Sequence, residues 1–287
     1  MELEYDDLKN IIEGFAKNGK IFSNEAQFQF ELAFAIKNKF ENSEIYLEHL
    51  VLVSDDTENH TQILKMYIDI IVKIDNDYYP IELKYKTANE RIEYQRSNGG
   101  KVYTFNQGAP DTGSYDFIKD INRLEQLVYG FNNEELRVVS KGKETKIFNP
   151  RLDYTSLIID ENSLQKGFAI MITNNEKYFD KTSYKTSYWE NFSLSGDDNN
   201  SKELKGNLYW IVDNHEIKEN DNYENYKKQL GKIVNSVSLS RSKPIKLQGT
   251  YTLNWEDYDV KGYDNQNDDK KHSFKYLIVE VAKHNNA

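Results

Sequence analysis

The sequence predicts an α/β protein whose core runs helix, strand, strand, strand, helix, strand. Three observations predict it. "NEAQFQFELAFAIKNKF" (Asn24 to Phe40) sets an apolar body behind a capping residue. "ILKMYIDIIVKI" (Ile63 to Ile74) and "YYPIELKYK" (Tyr78 to Lys86) are strand-like runs joined by the short turn "DND". "GFAIMITN" (Gly167 to Asn174) is an apolar run of buried-strand length, and it follows a helical stretch.

Taken in order, Ser23 or Asn24 can cap the first helix, with Glu25 in its first turn. "EIYLEHLVLVS" (Glu44 to Ser54) reads as a strand, and the polar "DDTENHTQ" as the turn after it. Ile63 to Ile74 is too apolar for a strand exposed on both faces. The next strand returns antiparallel after Asp75 to Asp77. "RIEYQRSNGGKVYTF" (Arg91 to Phe105) reads as a hairpin around Asn98-Gly99-Gly100, and "NQGAPDTG" as a loop. Ser114 can cap the helix "YDFIKDINRLEQLVYG". Lys181 to Gly206 reads as a long polar surface loop, and "ENYKKQLGKIVNSV" (Glu224 to Val237) as a weaker helix. "PIKLQGTYTLNWEDY" and "FKYLIVEV" are late strands separated by the polar "GYDNQNDDKKH". Neither repeats nor a dividing linker stand out. The expectation is one α/β domain over 1–287, with its core motifs in 23–127 and a hairpin insertion at about 91–105. Residues 150–287 complete and decorate the sheet.

Charge narrows the partners. The 37 basic side chains are outnumbered by 47 acidic ones, a net charge of −10. That argues against a nucleic-acid coat or an anionic-membrane binder, but leaves room for an enzyme with a local basic track. The absence of cysteine excludes disulfides, thiolate-bound zinc and a thiol nucleophile. No apolar run reaches membrane-spanning length, and the N-terminus "MELEYDDLKN" is acidic where a signal peptide is basic. The expected location is the cytoplasm.

In "PIELKYK", Glu82, Lys84 and Lys86 alternate with Ile81, Leu83 and Tyr85. Residues two apart on a strand share a face, about 7 Å apart. Alone, such a row is the solvated face of an amphipathic strand. The preceding strand shifts the balance. Asp69 stands in "MYIDIIVKI", where an isolated carboxylate costs several kcal/mol unless paired or bound to a cation. With the turn near Asn76, antiparallel pairing sets Asp69 roughly opposite residues 82 to 84. Two carboxylates and an ammonium then meet. Hard oxygen ligands with open positions suit Mg²⁺.

The αβββαβ order, Asp69 on the second strand and Glu82-x-Lys84 on the third together resemble the PD-(D/E)XK nuclease superfamily, over roughly Ser23 to Leu127. The proline often found before the acid is replaced by Ile68. The resemblance implies a restriction-endonuclease-like core, with a central mixed sheet flanked by helices. It implies an Mg²⁺-dependent DNA endonuclease, with Mn²⁺ as substitute, of the kind used in restriction, phage defence or mobile elements. Asp69 and Glu82 match its metal ligands, with the Leu83 carbonyl as a third, and Lys84 matches its catalytic lysine. Glu25 is the choice for the acid the family often adds from its first helix, with Gln29 one turn later. Glu31, on another face, is the rival. Gln29, Lys86, Arg91, Arg96 and Lys101 are candidates to hold the substrate. Lys119 and Arg123 join them from a helix whose charges otherwise read as solvated ion pairs. DNA is the expected partner, with RNA and a homodimer left open. The alternative is a non-catalytic nucleic-acid-binding or adaptor protein on the same fold.

Other signals are weaker. "NGGKV" lacks P-loop spacing, so no nucleotide cofactor is expected. His49, His60, His215, His272 and His284 are scattered without ligand spacing. Trp189, Trp210 and Trp255 read as core or platform residues.

Overall fold

The computed structural model describes residues 1–57, 60–88, 90–92, 102–107, 109–129, 156–160, 163–181, 188–196, 201–212, 215–216, 241, 244–261 and 273–283. Helix α1 (Tyr5–Lys17) was not expected from the acidic N-terminus, yet its pattern is helical. Leu8, Ile12, Phe15 and Ala16 recur on one face and are buried. The Glu4 amide donates to Asp7 Oδ2 at 2.9 Å and closes the first turn. Helix α2 (Glu25–Lys39) begins as expected, with Asn24 Oδ1 accepting from the Gln27 amide at 2.8 Å.

Strand β1 (Glu44–Thr57) pairs antiparallel with β2 (His60–Ile74), which pairs antiparallel with β3 (Asp77–Lys86). Asp75, at φ 54°, takes the left-handed turn position that aspartate tolerates. The expected hairpin stems are β4 (Glu90–Ile92) and β5 (Val102–Thr104); its tip lies outside the described residues. Helix α3 (Pro110–Val128) precedes β6 (Ser156–Asp160), parallel to β1, and β7 (Lys166–Thr173), parallel to β3. Strands β8 (Ser201–Leu208) and β11 (Ile245–Asn254) form a separate antiparallel pair, and β9 (Ile211–Val212) pairs with β10 (His215–Glu216). Last come β12 (Glu256–Asp257) and β13 (Lys275–Ala282), which joins β7.

The result is a mixed seven-stranded sheet in the order β12-β13-β7-β3-β2-β1-β6. Helices α1 and α2 bury Leu8, Ile12, Phe28 and Leu32 against Ile70, Ile81, Leu83 and Ile170 on one face. On the other, Ile118, Ile121 and Leu124 of α3 meet Ala169, Met171, Leu277 and Val279, backed by the β8–β11 pair. Among the described residues no helix is long and apolar enough to cross a membrane.

Two expectations need correction. Helix α3 starts at Pro110, whose fixed φ suits a first helical position, so Asp111 to Ser114 are helical and Ser114 is buried rather than a cap. The stretch from Lys181 to Gly206 is not a plain surface loop. Its apolar residues are too widely spaced to show a period, but Trp189, Phe192, Leu194 and Leu204 all enter the second core, and β8 begins at Ser201. Trp189, Trp210 and Trp255 are core residues, the latter two donating their indole N–H to the carbonyls of Arg241 and Leu194. The helix expected over 224–237 and the polar stretch 262–272 lie outside the described residues.

Candidate functional site

The site begins where two strands part. β2 and β3 pair from their turn as far as Ile70↔Ile81. Beyond that point β3 continues along β7, from Ile81↔Phe168 to Lys86↔Thr173, without β2 beside it. The Leu83 and Tyr85 amides on the open side therefore need other acceptors. Asp69 Oδ2 takes the Leu83 amide at 2.6 Å, and Glu25 Oε2 takes the Tyr85 amide at 2.8 Å. Two carboxylates thus stand where a ladder strand would supply carbonyls, in charge-assisted bonds.

The β1–β2 ladder is also interrupted here. Leu47 pairs with Ile70 and His49 with Ile68, while Glu48 lies between them at φ 47°. A glutamate in that region stores backbone strain, a pattern that clusters at functional sites. Gln29, one turn after Glu25, donates to the Asp69 carbonyl at 2.6 Å and to Glu48 Oε1 at 3.0 Å. So the first turn and a half of α2 holds the fork open. Glu31 instead pairs with Lys20, away from the fork.

Period-2 alternation turns Glu82 and Lys84 away from the α1–α2 core and toward α3. There they meet two helical side chains of opposite sign. Glu82 Oε1 lies 3.0 Å from Arg123 Nη1, and Lys84 Nζ lies 2.5 Å from Asp120 Oδ2. Arg123 also reaches Asp120 Oδ1 at 3.3 Å and donates to the Tyr67 carbonyl, while Lys84 donates to the Leu83 carbonyl at 3.0 Å. Glu82 is 2% exposed. Glu82 Oε1 is sealed from solvent and lies against a cation, yet accepts no aligned hydrogen bond from the described residues. Its contact with Arg123 is Coulombic.

The electrostatics are strained in one direction. Burial pushes the Glu82 carboxyl well above its ordinary range, the Asp120 and Asp69 carboxylates push it further, and Arg123 and Lys84 only partly offset this. Burial also raises Asp69, against the Leu83 amide and Lys84, which favour its charged form. Burial alone would lower Lys84, but Asp120, Glu25 and Asp69 hold its ammonium above the usual range. Four carboxylates (Glu25, Asp69, Glu82, Asp120) face two cations (Lys84, Arg123), so when all are ionised the site carries −4 + 2 = −2.

Asp69 and Glu82 supply hard oxygen donors of the kind a divalent cation takes. Among the described residues no group of three or more His, Asp or Glu side chains is arranged to hold an ion alone. Mg²⁺ does not require one, since it is usually bound through one or two carboxylates, waters and substrate phosphate. Surplus negative charge and the unbonded Glu82 oxygen are the features a cation would relieve.

The remaining candidates are more scattered. Lys86 follows on β3, half-buried, and Lys119 is exposed on α3; neither enters these contacts. Arg91 lies on β4, while Arg96 and Lys101 fall outside the described residues. His49 is half-buried, its ring 5.2 Å from that of Tyr46. Sequence reasoning missed Asp120 as a site residue, although it sits between Phe117 and Leu124 on the apolar stripe of α3, where a charge needs a partner. It also missed Glu48, signalled by a phase break: Ile45 and Leu47 alternate, then Leu50 is out of step.

Comparison of the chain with protein-family models, curated proteins and solved structures finds no match.

Proposed function

We propose that the protein is a divalent-cation-dependent phosphodiesterase that cuts DNA internally, built on a restriction-endonuclease-like core of α2, β1, β2, β3, α3 and β7. The observation that carries this reading is the forked β2–β3 pair. It gathers Asp69, Glu82 and Lys84, and places Glu25 on the Tyr85 amide of the same strand. Asp69 and Glu82, with the Leu83 carbonyl, would hold Mg²⁺ or Mn²⁺. Such an ion polarises a phosphoryl oxygen and lowers the pKa of bound water. Lys84, two residues beyond Glu82 on the same strand, is proposed to orient the attacking water and meet charge developing on phosphate. Glu25 fixes β3 so that Lys84 keeps that aim. Lys86, Arg91, Arg96, Lys101, Lys119 and Arg123 are proposed to hold the DNA backbone, which makes binding fall steeply with salt. A restriction or phage-defence setting in the cytoplasm belongs to the same proposal.

The second reading is a non-catalytic nucleic-acid-binding or adaptor protein. The pairing of Glu82 with Arg123 and of Lys84 with Asp120 favours it, because it lets the four charges stand as a structural network. One experiment separates the two. Plasmid, linear and branched DNA and single-stranded RNA are incubated with the protein, with Mg²⁺, with Mn²⁺ and with chelator. Metal-dependent nicking that disappears in Lys84→Ala supports the enzyme. Intact substrates under every condition support the scaffold.

A further inference from the structure

The guanidinium of Arg123 occupies the Glu82 carboxylate at 3.0 Å, deep in a site with surplus negative charge. It comes from α3, across the sheet face from α2, and is tethered at two other points, Asp120 Oδ1 and the Tyr67 carbonyl. Its side chain is 27% exposed while that of Glu82 is 2% exposed, so the acid is shut from solvent and the cation beside it is not. A second cation cannot approach Glu82 Oε1 while a guanidinium lies against it, because like charges at that range repel strongly in a partly buried setting.

We propose that Arg123 is an exchangeable counter-ion. In the metal-free protein it neutralises Glu82, and a divalent cation binds only by displacing it, which frees the guanidinium for the substrate phosphate. Two features carry this. Glu82 Oε1 accepts no aligned hydrogen bond from Arg123, so the pair is held by charge alone and can be exchanged for another charge. Arg123 also retains two tethers that do not involve Glu82, so it can swing from the acid without leaving the site. Occupation of the metal seat and of the DNA contact are thereby coupled with positive sign. This inference rests on the reading of Asp69 and Glu82 as cation ligands.

Mn²⁺ binding, followed by calorimetry and by the spectroscopic signal of the free ion, tests it without reference to cleavage. Arg123→Gln removes the competing charge and should tighten Mn²⁺ binding by roughly 5- to 150-fold, the ordinary range of coupling between two sites. Glu82→Ala should weaken it. In the wild-type protein, titration with Mg²⁺ should shift the side-chain Nε–Hε resonance of Arg123, a readout that stands if Arg123→Gln does not fold. Equal Mn²⁺ affinity in wild type and Arg123→Gln, or a resonance unmoved at saturating Mg²⁺, overturns the exchange but leaves the cation site standing. Absence of Mn²⁺ binding by both proteins overturns the exchange and the cation site together.

Discussion

Lys84 Nζ lies 2.5 Å from Asp120 Oδ2, so the lysine of the third strand is held by a helical residue 36 positions later in the chain. The lysine side chain is 15% exposed and the aspartate 8%, so neither is generously solvated. Asp120 is a positioning residue on this account: it fixes where the ammonium points and keeps it charged.

Asp120→Asn should therefore act through Lys84. Removing one partner of a buried pair leaves an uncompensated charge, which costs roughly 3 kcal/mol at the low end of the usual range. The low end is expected because Lys84 keeps the Leu83 carbonyl and lies near Glu25 and Asp69. Cleavage should fall at least tenfold, and the alkaline limb of the pH–rate profile should move to lower pH, because Asp120 helps hold the ammonium above its usual range. A rate loss with the limb unmoved would show that Asp120 matters for packing only.

Lys84→Ala removes the ammonium and leaves both proposed metal carboxylates. Loss of one electrostatic contact to the reacting group lowers rate on the order of 10²-fold or more, while Mn²⁺ and DNA binding persist. Glu82→Ala should lose Mn²⁺ affinity as well. Nicking assays paired with Mn²⁺ calorimetry check both, and full cleavage by either variant refutes the assignment.

Another buried acid supplies the contrast. Glu125 accepts from the Gln248 and Gly249 amides at 2.9 and 2.7 Å and from the Tyr251 hydroxyl at 2.8 Å. Its Oε1 is satisfied by three donors and anchors β11 to α3, whereas Glu82 Oε1 accepts no aligned hydrogen bond from the described residues. Glu125→Ala strands three donors and should cost roughly 3 kcal/mol, with cleavage per folded molecule unchanged. Urea unfolding and single-turnover cleavage measured below the melting transition check the pair of outcomes.

These contrasts show what could be read from residue order. The fork was legible because its parts are local. A polar Asp69 inside an apolar strand, a short turn and an alternating Glu82-x-Lys84 fix a register by counting. The Asn24 cap and the Glu25–Gln29 spacing gave the face of α2 that meets it. Asp120 was seen only as part of a surface ion pair, and Arg123 only as that or as a contact to substrate backbone, because helical spacing tells which residues share a face but not what covers that face. Leu204, Leu194 and Trp189 escaped for a similar reason: each is a single apolar residue in a polar run, and only the β8–β11 pair reveals a core for them.

The strained acids make metal-free stability depend on pH. Glu82 and Asp69 are both raised in the folded protein, chiefly by burial. A carboxyl that holds its proton more tightly when folded loses stability as pH climbs from its unfolded value, about 4, toward its folded one. Below that window both states are protonated and nothing is lost; above it the full penalty is present. Lys84 and the raised tyrosines bear on stability only at alkaline pH: their contributions change as pH rises past their unfolded values near 10, outside this window. As pH climbs from about 4 toward the raised folded values, the chelator-treated protein should therefore become less stable by up to about 1.4 kcal/mol per pH unit for each proton released. Glu82→Gln stays neutral, so it should be the more stable protein at pH 8 and should show a flatter profile. Saturating Mg²⁺ should flatten the wild-type profile too, because a bound cation favours the ionised carboxylates. Urea unfolding at pH 5, 6, 7 and 8, with chelator and with Mg²⁺, reads all three. Parallel wild-type and Glu82→Gln profiles would show that Glu82 is ionised without strain, and would remove the electrostatic reason for a cation at the fork.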